Sequence, residues 1–289
     1  MFWLIMGLAA AMGDAGADVV TKRHFTHLSP YAMGLVRLLF ALPLLAAVLP
    51  LVAIPPLTGS FWLVIAALIP LEVSAILLYM RALRVCHLSL CIPFLAFTPV
   101  FLIATGFIFL KESVNRFGLL GILLITGGSY ILSLGSGRKG LFAPFQALIR
   151  EPGARLMLGV ALIFSVTAAL YKVAILHSEP LFLGVCYPFF FTGGMLLAYP
   201  VARSRLRPPL NFSWKWGLLL GGFFSLSCLS VSQGLAFGSA SYVIAVKRLS
   251  LLFSVLMGGL YLRERPFFPR LAGAVLMTGG VILIALLGG

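Results

Sequence analysis

Ionisable side chains lie inside several of the long apolar stretches of this chain. A charged side chain at the centre of a membrane costs roughly 2.5–3.5 kcal/mol on insertion scales, so each one calls for a partner or a function. The residues concerned are Asp14, Asp18, Arg37, Glu72, Lys172, Lys247 and Arg248.

The adjacent pair Lys247 and Arg248 is the clearest candidate for binding chemistry. Neighbouring residues on a helix point in different directions, so two such side chains can flank one anion. Lysine supplies a point charge and arginine a bidentate fork, a combination that suits phosphate or carboxylate. Lys172, Tyr242 and Gln233 are expected to complete the site. The alternative is that one or both cations extend to the membrane interface.

The acidic residues of the first apolar stretch suggest a charge pair between helices. Asp14 and Asp18 are four residues apart and share one helix face. Arg37 lies at a depth in the second stretch similar to that of Asp14, which predicts an Asp14–Arg37 bridge. Lys22 follows Asp18 by four residues, so an ion pair within the helix is a further option.

Glu72 lies near the middle of the third apolar stretch, and the sequence offers no cation at that depth. A carboxyl group in apolar surroundings favours its protonated form. We therefore predict that Glu72 is protonated near neutral pH and carries protons, with Asp14 and Asp18 as other coupling candidates. The alternative is a neutral Glu72 that is hydrogen-bonded in the packing. Tyr79 and Arg37 are predicted to join the central polar set.

Apolar helices must position these residues. The 289 residues are 61% hydrophobic and 10% charged, which is typical of a polytopic membrane protein. We expect an all-α integral membrane protein with ten spans of roughly 20 residues each. The predicted spans are 2–21, 31–50, 61–80, 88–110, 116–134, 156–176, 181–201, 213–235, 240–262 and 268–287. The first is interpreted as a retained span because it lacks a basic start.

The second half of the chain repeats the first. Residues 79–132 match 231–284 without a gap. Five spans per copy is an odd number, so the second copy must enter the membrane upside down. The predicted organisation is a five-helix repeat at 1–134, a linker at 135–155 and a second repeat at 156–289. The linker is either an amphipathic helix on the membrane surface or a plain tether. Inverted repeats are typical of transporters that hold the substrate near the bilayer midplane.

The charge distribution argues for a membrane and against nucleic acid. The net charge is +14, yet almost all of the lysines and arginines near loops fall on one side of the predicted membrane. The other side receives only Lys111 and Arg116. The positive-inside rule therefore predicts cytoplasmic basic loops, both termini outside, and a location in the cell's inner membrane.

The motifs of catalysis and metal binding are missing from the sequence. There is no nucleophile–base pair and no H-E-x-x-H, so an enzyme is disfavoured. The cysteines have no paired spacing and the histidines no ligand pattern, so we expect no metal and no cofactor. Glu112 and Glu264 lie in equivalent short turns with basic neighbours, and we predict that they cap or pair there.

The two copies share a short motif near the end of each repeat. It reads Leu110-Lys-Glu112, Gly121 and Thr126-Gly127-Gly128 in the first copy, and Leu262-Arg-Glu264, Gly273 and Thr278-Gly279-Gly280 in the second. With these residues both repeats resemble the EamA family of the drug/metabolite transporter superfamily. Val246-Lys247-Arg248 is locally similar to the Lys-Arg pair of triose-phosphate translocators. The resemblance implies a ten-helix carrier.

These observations together predict a secondary transporter that moves a small organic solute across the inner membrane by alternating access. The solute is expected to be anionic, with a phosphate or carboxylate group. Its expected partners are the solute, protons as a coupling ion and the lipid bilayer, in a monomer or homodimer. The alternative function is a flippase for a lipid-linked substrate.

Overall fold

The computed structural model describes residues 1–85, 92–134, 151–199, 213–254, 257 and 267–288. Within these ranges every regular element is helical. The α-helices are α1 Phe2–His24, α2 Pro30–Val48, α3 Gly59–Val85, α4 Thr98–Leu110, α5 Arg116–Leu134, α6 Pro152–Leu176, α7 Pro180–Leu197, α8 Trp214–Phe237, α9 Ala240–Lys247 and α10 Phe267–Leu287. Two 3₁₀ helices, Leu49–Leu51 and Ile92–Phe97, follow α2 and precede α4.

Six helices among the described residues are long and apolar enough to cross a membrane: α1, α2 with its 3₁₀ extension, α3, α6, α7 and α8. Shorter apolar segments lie at Phe94–Leu110, Arg116–Leu132 and Leu271–Leu287. The predicted all-α membrane class is therefore confirmed. The count of ten spans stays a prediction, because part of the ninth, 240–262, lies outside the described residues. Most of the predicted linker 135–155 also lies outside them.

Glycines let α5 and α10 pack closely. A Cβ added to Gly121 would lie 2.7 Å from the carbonyl oxygen of Gly280, and one added to Gly128 would lie 2.7 Å from that of Gly273. Gly121 precedes Gly128 along α5, whereas its partner Gly280 follows Gly273 along α10. The two helices therefore run antiparallel. In lipid, small residues permit such backbone approach. Gly127, by contrast, has open space where a Cβ would stand.

The helix contacts recur when the two halves of the chain are exchanged. With α1–α5 taken as the counterparts of α6–α10, the α1–α8 contact matches α6–α3, and α2–α8 matches α7–α3. In the same way, α1–α9 matches α6–α4. Three further contacts, α2–α7, α4–α9 and α5–α10, each join a helix to its own counterpart.

Two helices are interrupted at equivalent points of the halves. The 3₁₀ segment Ile92–Phe97 gives way to α4 at Thr98. In the second half, α9 ends at Lys247, a turn follows at Arg248, and helix resumes at residue 250. Irregular backbone at membrane depth is tolerated where it is covered by protein or lines a cavity.

Candidate functional site

An internal cavity of about 170 Å³ lies between helices from both halves of the chain. A cavity of about 150 Å³ is enough to take up benzene, so this one can hold a small organic molecule. The ionisable acidic and basic residues that line it are Asp14, Asp18, Arg37, Glu72, Lys247 and Arg248. Its other polar residues include Tyr79, Thr167, Tyr171, Tyr187, Ser227 and Cys228.

Arg37 of α2 lies between the two carboxylates of α1. Its guanidinium is 3.1 Å from Asp18 Oδ1 and 3.8 Å from Asp14 Oδ1. The predicted Asp14–Arg37 contact is therefore present, but Asp18 is the closer partner. Tyr79 lines the same cavity as these residues. Because Asp18 faces Arg37, the ammonium of Lys22 instead donates to the carbonyl of Leu83 at 2.6 Å.

Lys247 of α9 is paired with an acid from the other end of the chain. Its Nζ lies 3.1 Å from Asp14 Oδ2, and the other oxygen of Asp14 accepts a hydrogen bond of 2.6 Å from Ser227. The sequence placed no acid near Lys247, so this pairing went unpredicted. Asp14 thus connects α1 to α2, α8 and α9, through Arg37, Ser227 and Lys247 respectively.

Arg248 is buried beside the cavity and has a polar partner on α4. Its Nη2 donates a hydrogen bond of 2.9 Å to Thr98 Oγ1. Thr98 in turn donates to the carbonyl of Leu95. Among the described residues, Nε of Arg248 has no hydrogen-bond partner and no carboxylate forms an ion pair with the side chain. Both Arg248 and Lys247 line the cavity.

Glu72 of α3 lies in a part of the cavity rich in hydroxyl groups and rings. Thr167 of α6 lines the same cavity, and its hydroxyl donates to the carbonyl of Phe164 at 3.4 Å. Tyr171 and Tyr187 also line the cavity, and their rings meet edge to face with centroids 4.9 Å apart. The hydroxyl of Tyr187 is buried and has no hydrogen-bond partner among the described residues.

Three predicted binding residues do not line this cavity: Lys172, Tyr242 and Gln233. The ammonium of Lys172 pairs with Glu112 and donates to the carbonyl of Gly238 at 2.6 Å. The ring of Tyr242 packs near Trp3, with centroids 6.4 Å apart. These partners draw Lys172 and Tyr242 away from the cavity.

Glu112 joins the α4–α5 turn to the second half of the chain. Besides pairing with Lys172, it accepts hydrogen bonds of 2.8 Å from the Ser239 hydroxyl and from the amide of Ala240. A carboxylate at these donors caps the start of α9 and complements its dipole. Glu112 therefore caps a helix and forms an ion pair, as predicted, but its partners are distant from it in the sequence. Its counterpart Glu264 lies outside the described residues.

The neutral polar residues of the cavity were missed by sequence reasoning. Tyrosine, threonine and serine are common in membrane helices. The residue types at Tyr171, Tyr187 and Ser227 therefore did not indicate a place in the cavity. One pattern was available, because Thr167 and Tyr171 are four residues apart and so share a face of α6.

The helical architecture with a charged internal cavity is that of a multi-pass membrane transporter. A family model described as the EamA-like transporter family matches residues 1–134 and 151–286. The chain belongs to this family, whose members are transporters rather than enzymes, and the family resemblance of the sequence is confirmed. The likeness of Lys247-Arg248 to triose-phosphate translocators stays an interpretation.

Solved structures share the fold. One of 29 matching chains, titled "Crystal structure of protein", has a TM-score of 0.78 with 14% sequence identity, over 99% of this chain and 97% of that one. At this identity the likeness concerns the fold alone. No curated protein matches the sequence.

Proposed function

We propose that this protein is a secondary transporter that moves a small organic solute with an anionic group by alternating access. The proposal includes ten spans arranged as two inverted five-helix repeats. Antiparallel packing of the counterparts α5 and α10 supports the inversion, and so does the recurrence of helix contacts when the halves are exchanged. In such repeats the substrate site lies between the halves, at discontinuous helices.

One observation supports an anionic substrate above all. Arg248 is buried beside the cavity, and no carboxylate among the described residues forms an ion pair with it. A buried charge without a partner is strongly unfavourable, so an arginine kept there indicates an anion that binds it. Nε has no hydrogen-bond partner among the described residues, and the bond from Nη2 to Thr98 uses only one of the five N–H donors of the guanidinium, so donors remain for that anion.

Lys247 is proposed as the second ligand of the anion. It is adjacent to Arg248 and lines the same cavity, but Asp14 already holds it. An anion must therefore share Lys247 with Asp14 or displace it. Arg37 and Tyr79 stay in the proposed binding set because they line the cavity, whereas Lys172, Tyr242 and Gln233 do not.

Proton coupling is proposed to run through carboxyl groups of the cavity: Glu72, Asp14 and Asp18. Asp14 and Asp18 both face cations, whereas no cation forms an ion pair with Glu72 in the described part of the chain. Glu72 can therefore change its protonation state without breaking an ion pair, which favours it as the carrier.

The test measures how organic anions stabilise the purified protein. A ligand that binds only the folded state raises its melting temperature, so a panel of carboxylates and phosphate esters reveals binding. Arg248→Ala is expected to abolish the rise, and Arg248→Lys to restore it in part because the planar fork is lost. Arg81→Ala, which removes an exposed arginine, is the matched control.

Transport is then measured for the strongest ligand in proteoliposomes. We expect uptake by the wild type and by Arg81→Ala, and none by Arg248→Ala. If no anion raises the melting temperature of the wild type, or if Arg248→Ala responds equally, the anionic substrate is refuted.

A further inference from the structure

We propose that Glu72 and the rings around it bind a protonated amine, so that the transported solute carries an ammonium group as well as an anionic group. This inference rests on the proposed function, because it assigns a second subsite to the same cavity. The two subsites would lie at Glu72 and at Arg248, and both residues line the cavity.

The first argument is the kind of contacts that Glu72 makes. No cation among the described residues forms an ion pair with Glu72. Lys247 lines the same cavity, but it is already paired with Asp14. An ionised Glu72 is thus an acceptor that still lacks a cation.

The second argument is the aromatic surroundings. Tyr171 and Tyr187 meet edge to face, and the ring of Phe191 lies 6.0 Å from that of Tyr187. All three residues line the cavity together with Glu72. Ring faces attract cations, and the attraction strengthens where water is excluded. A carboxylate beside several rings is therefore suited to an ammonium group.

The third argument is an unused hydrogen-bonding group. The Tyr187 hydroxyl is buried, yet it has no partner among the described residues, although buried polar groups are almost always hydrogen-bonded. The side chain lines the cavity, and Tyr187 as a whole is only 7% exposed. Its oxygen can accept a hydrogen bond from the same ammonium group.

The fourth argument is charge balance. The cavity is lined by three acids, Asp14, Asp18 and Glu72, and by three cations, Arg37, Lys247 and Arg248. With Glu72 ionised the lining is neutral, and a solute with one ammonium and one anionic group leaves it neutral. A plain anion brings an excess negative charge unless Glu72 holds a proton.

This balance predicts a difference in proton uptake between the two kinds of ligand. Binding of a plain acid favours protonated Glu72, and binding of the matched amino acid favours ionised Glu72. The ionisable groups that face Glu72 are Tyr171 of α6, Tyr187 of α7, Cys228 of α8 and Lys247 of α9. Of these, Lys247 is paired with Asp14.

The experiment compares three matched series of increasing chain length: straight-chain ω-amino acids, the carboxylic acids without the amine, and the amines without the acid. Calorimetry in buffers of different ionisation enthalpy gives both the affinity and the number of protons exchanged. We expect an amino acid of suitable length to bind about 30-fold or more tightly than its matched acid. We also expect proton uptake to differ by about one proton between the two.

Substitutions at Glu72 and Tyr187 test whether these residues bind the amine. Glu72→Gln is expected to reduce the affinity for the amino acid to that for the matched acid and to abolish the difference in proton uptake. Tyr187→Phe should weaken amino-acid binding alone. The controls are Glu179→Gln and Tyr199→Phe, which change exposed residues. Should Glu72→Gln fail to fold, Tyr187→Phe and the proton difference of the wild type decide the question.

The outcomes separate the two proposals. If acids bind in an Arg248-dependent manner and the amine adds nothing at any length, the amine subsite is refuted and the anion site stands. If the amine adds affinity but neither Glu72→Gln nor Tyr187→Phe reduces it, the subsite is misplaced and the inference fails. If neither acids nor amino acids bind in an Arg248-dependent manner, the proposed function itself fails.

Discussion

The ammonium group of Lys247 lies 3.1 Å from the carboxylate of Asp14, although the two residues come from opposite ends of the chain. Each of them lines the internal cavity. In the absence of a solute, Lys247 is therefore neutralised from within the protein. A solute anion competes with Asp14 for this cation, while Arg248 has no such competitor among the described residues.

Asp14→Asn should bind organic anions more tightly than the wild type, by about tenfold, because the competing carboxylate is removed. Calorimetry with the strongest ligand of the anion panel measures the change. Ser227→Ala is the control, since it removes a hydrogen bond to Asp14 without removing a charge. Unchanged or weaker binding by Asp14→Asn would show that Lys247 does not contact the anion.

Lys172→Met should lower thermal stability without weakening anion binding, because Lys172 pairs with Glu112 outside the cavity. Breaking a fully buried pair by removing one partner costs about 3–5 kcal/mol, and this partly buried pair should cost less, because solvent screens the charge left behind. Melting temperatures measure stability, and calorimetry measures affinity. The double variant with Glu112→Gln should be less unstable than the sum of the two single changes. A loss of anion affinity in Lys172→Met would show that Lys172 contributes to anion binding after all.

Gly128→Ala should destabilise the protein by about 1–3 kcal/mol through overpacking at the α5–α10 contact. The added Cβ would lie 2.7 Å from the carbonyl oxygen of Gly273. Gly127→Ala is the matched control on the neighbouring position, where the added atom meets nothing within 4 Å. Thermal unfolding of both purified variants measures the difference. Equal melting temperatures would contradict the close contact of α5 and α10.

A cysteine at position 139 should be unreactive towards an impermeant thiol reagent added to intact cells, because the basic loops are predicted to be cytoplasmic. Lys111→Cys, in a loop predicted to lie outside, should be labelled. The native cysteines are first replaced, so that the introduced thiol alone reacts. Labelling of Lys139→Cys from outside would contradict the predicted topology.

Glu72→Gln should flatten the pH dependence of transport, because the glutamine cannot take up a proton. Uptake of the strongest ligand into proteoliposomes, measured over a range of pH, tests this expectation, with Glu179→Gln as the control. A pH profile identical to that of the wild type would exclude Glu72 as the proton carrier and favour exchange of solutes.

The sequence by itself determined the helices and the residues that had to be explained. In lipid every backbone N–H and C=O group must find a hydrogen-bond partner within the protein, so a long apolar run forms a helix. The positions of these helices can therefore be read from the sequence. The cost of a buried charge is likewise a local property, which is why Asp14, Glu72, Lys247 and Arg248 stood out from their apolar neighbours.

Only the tertiary structure decided how those charges are compensated. Lys247 pairs with Asp14, Lys172 with Glu112, and Arg248 bonds Thr98, and in each case the partner belongs to the other half of the chain. Tyr187 entered the site for the same reason, since α7 packs against α3 where Glu72 lies. The cost of placing a charge in lipid depends on the residue and its apolar surroundings in sequence, whereas its partner depends on which helices pack together.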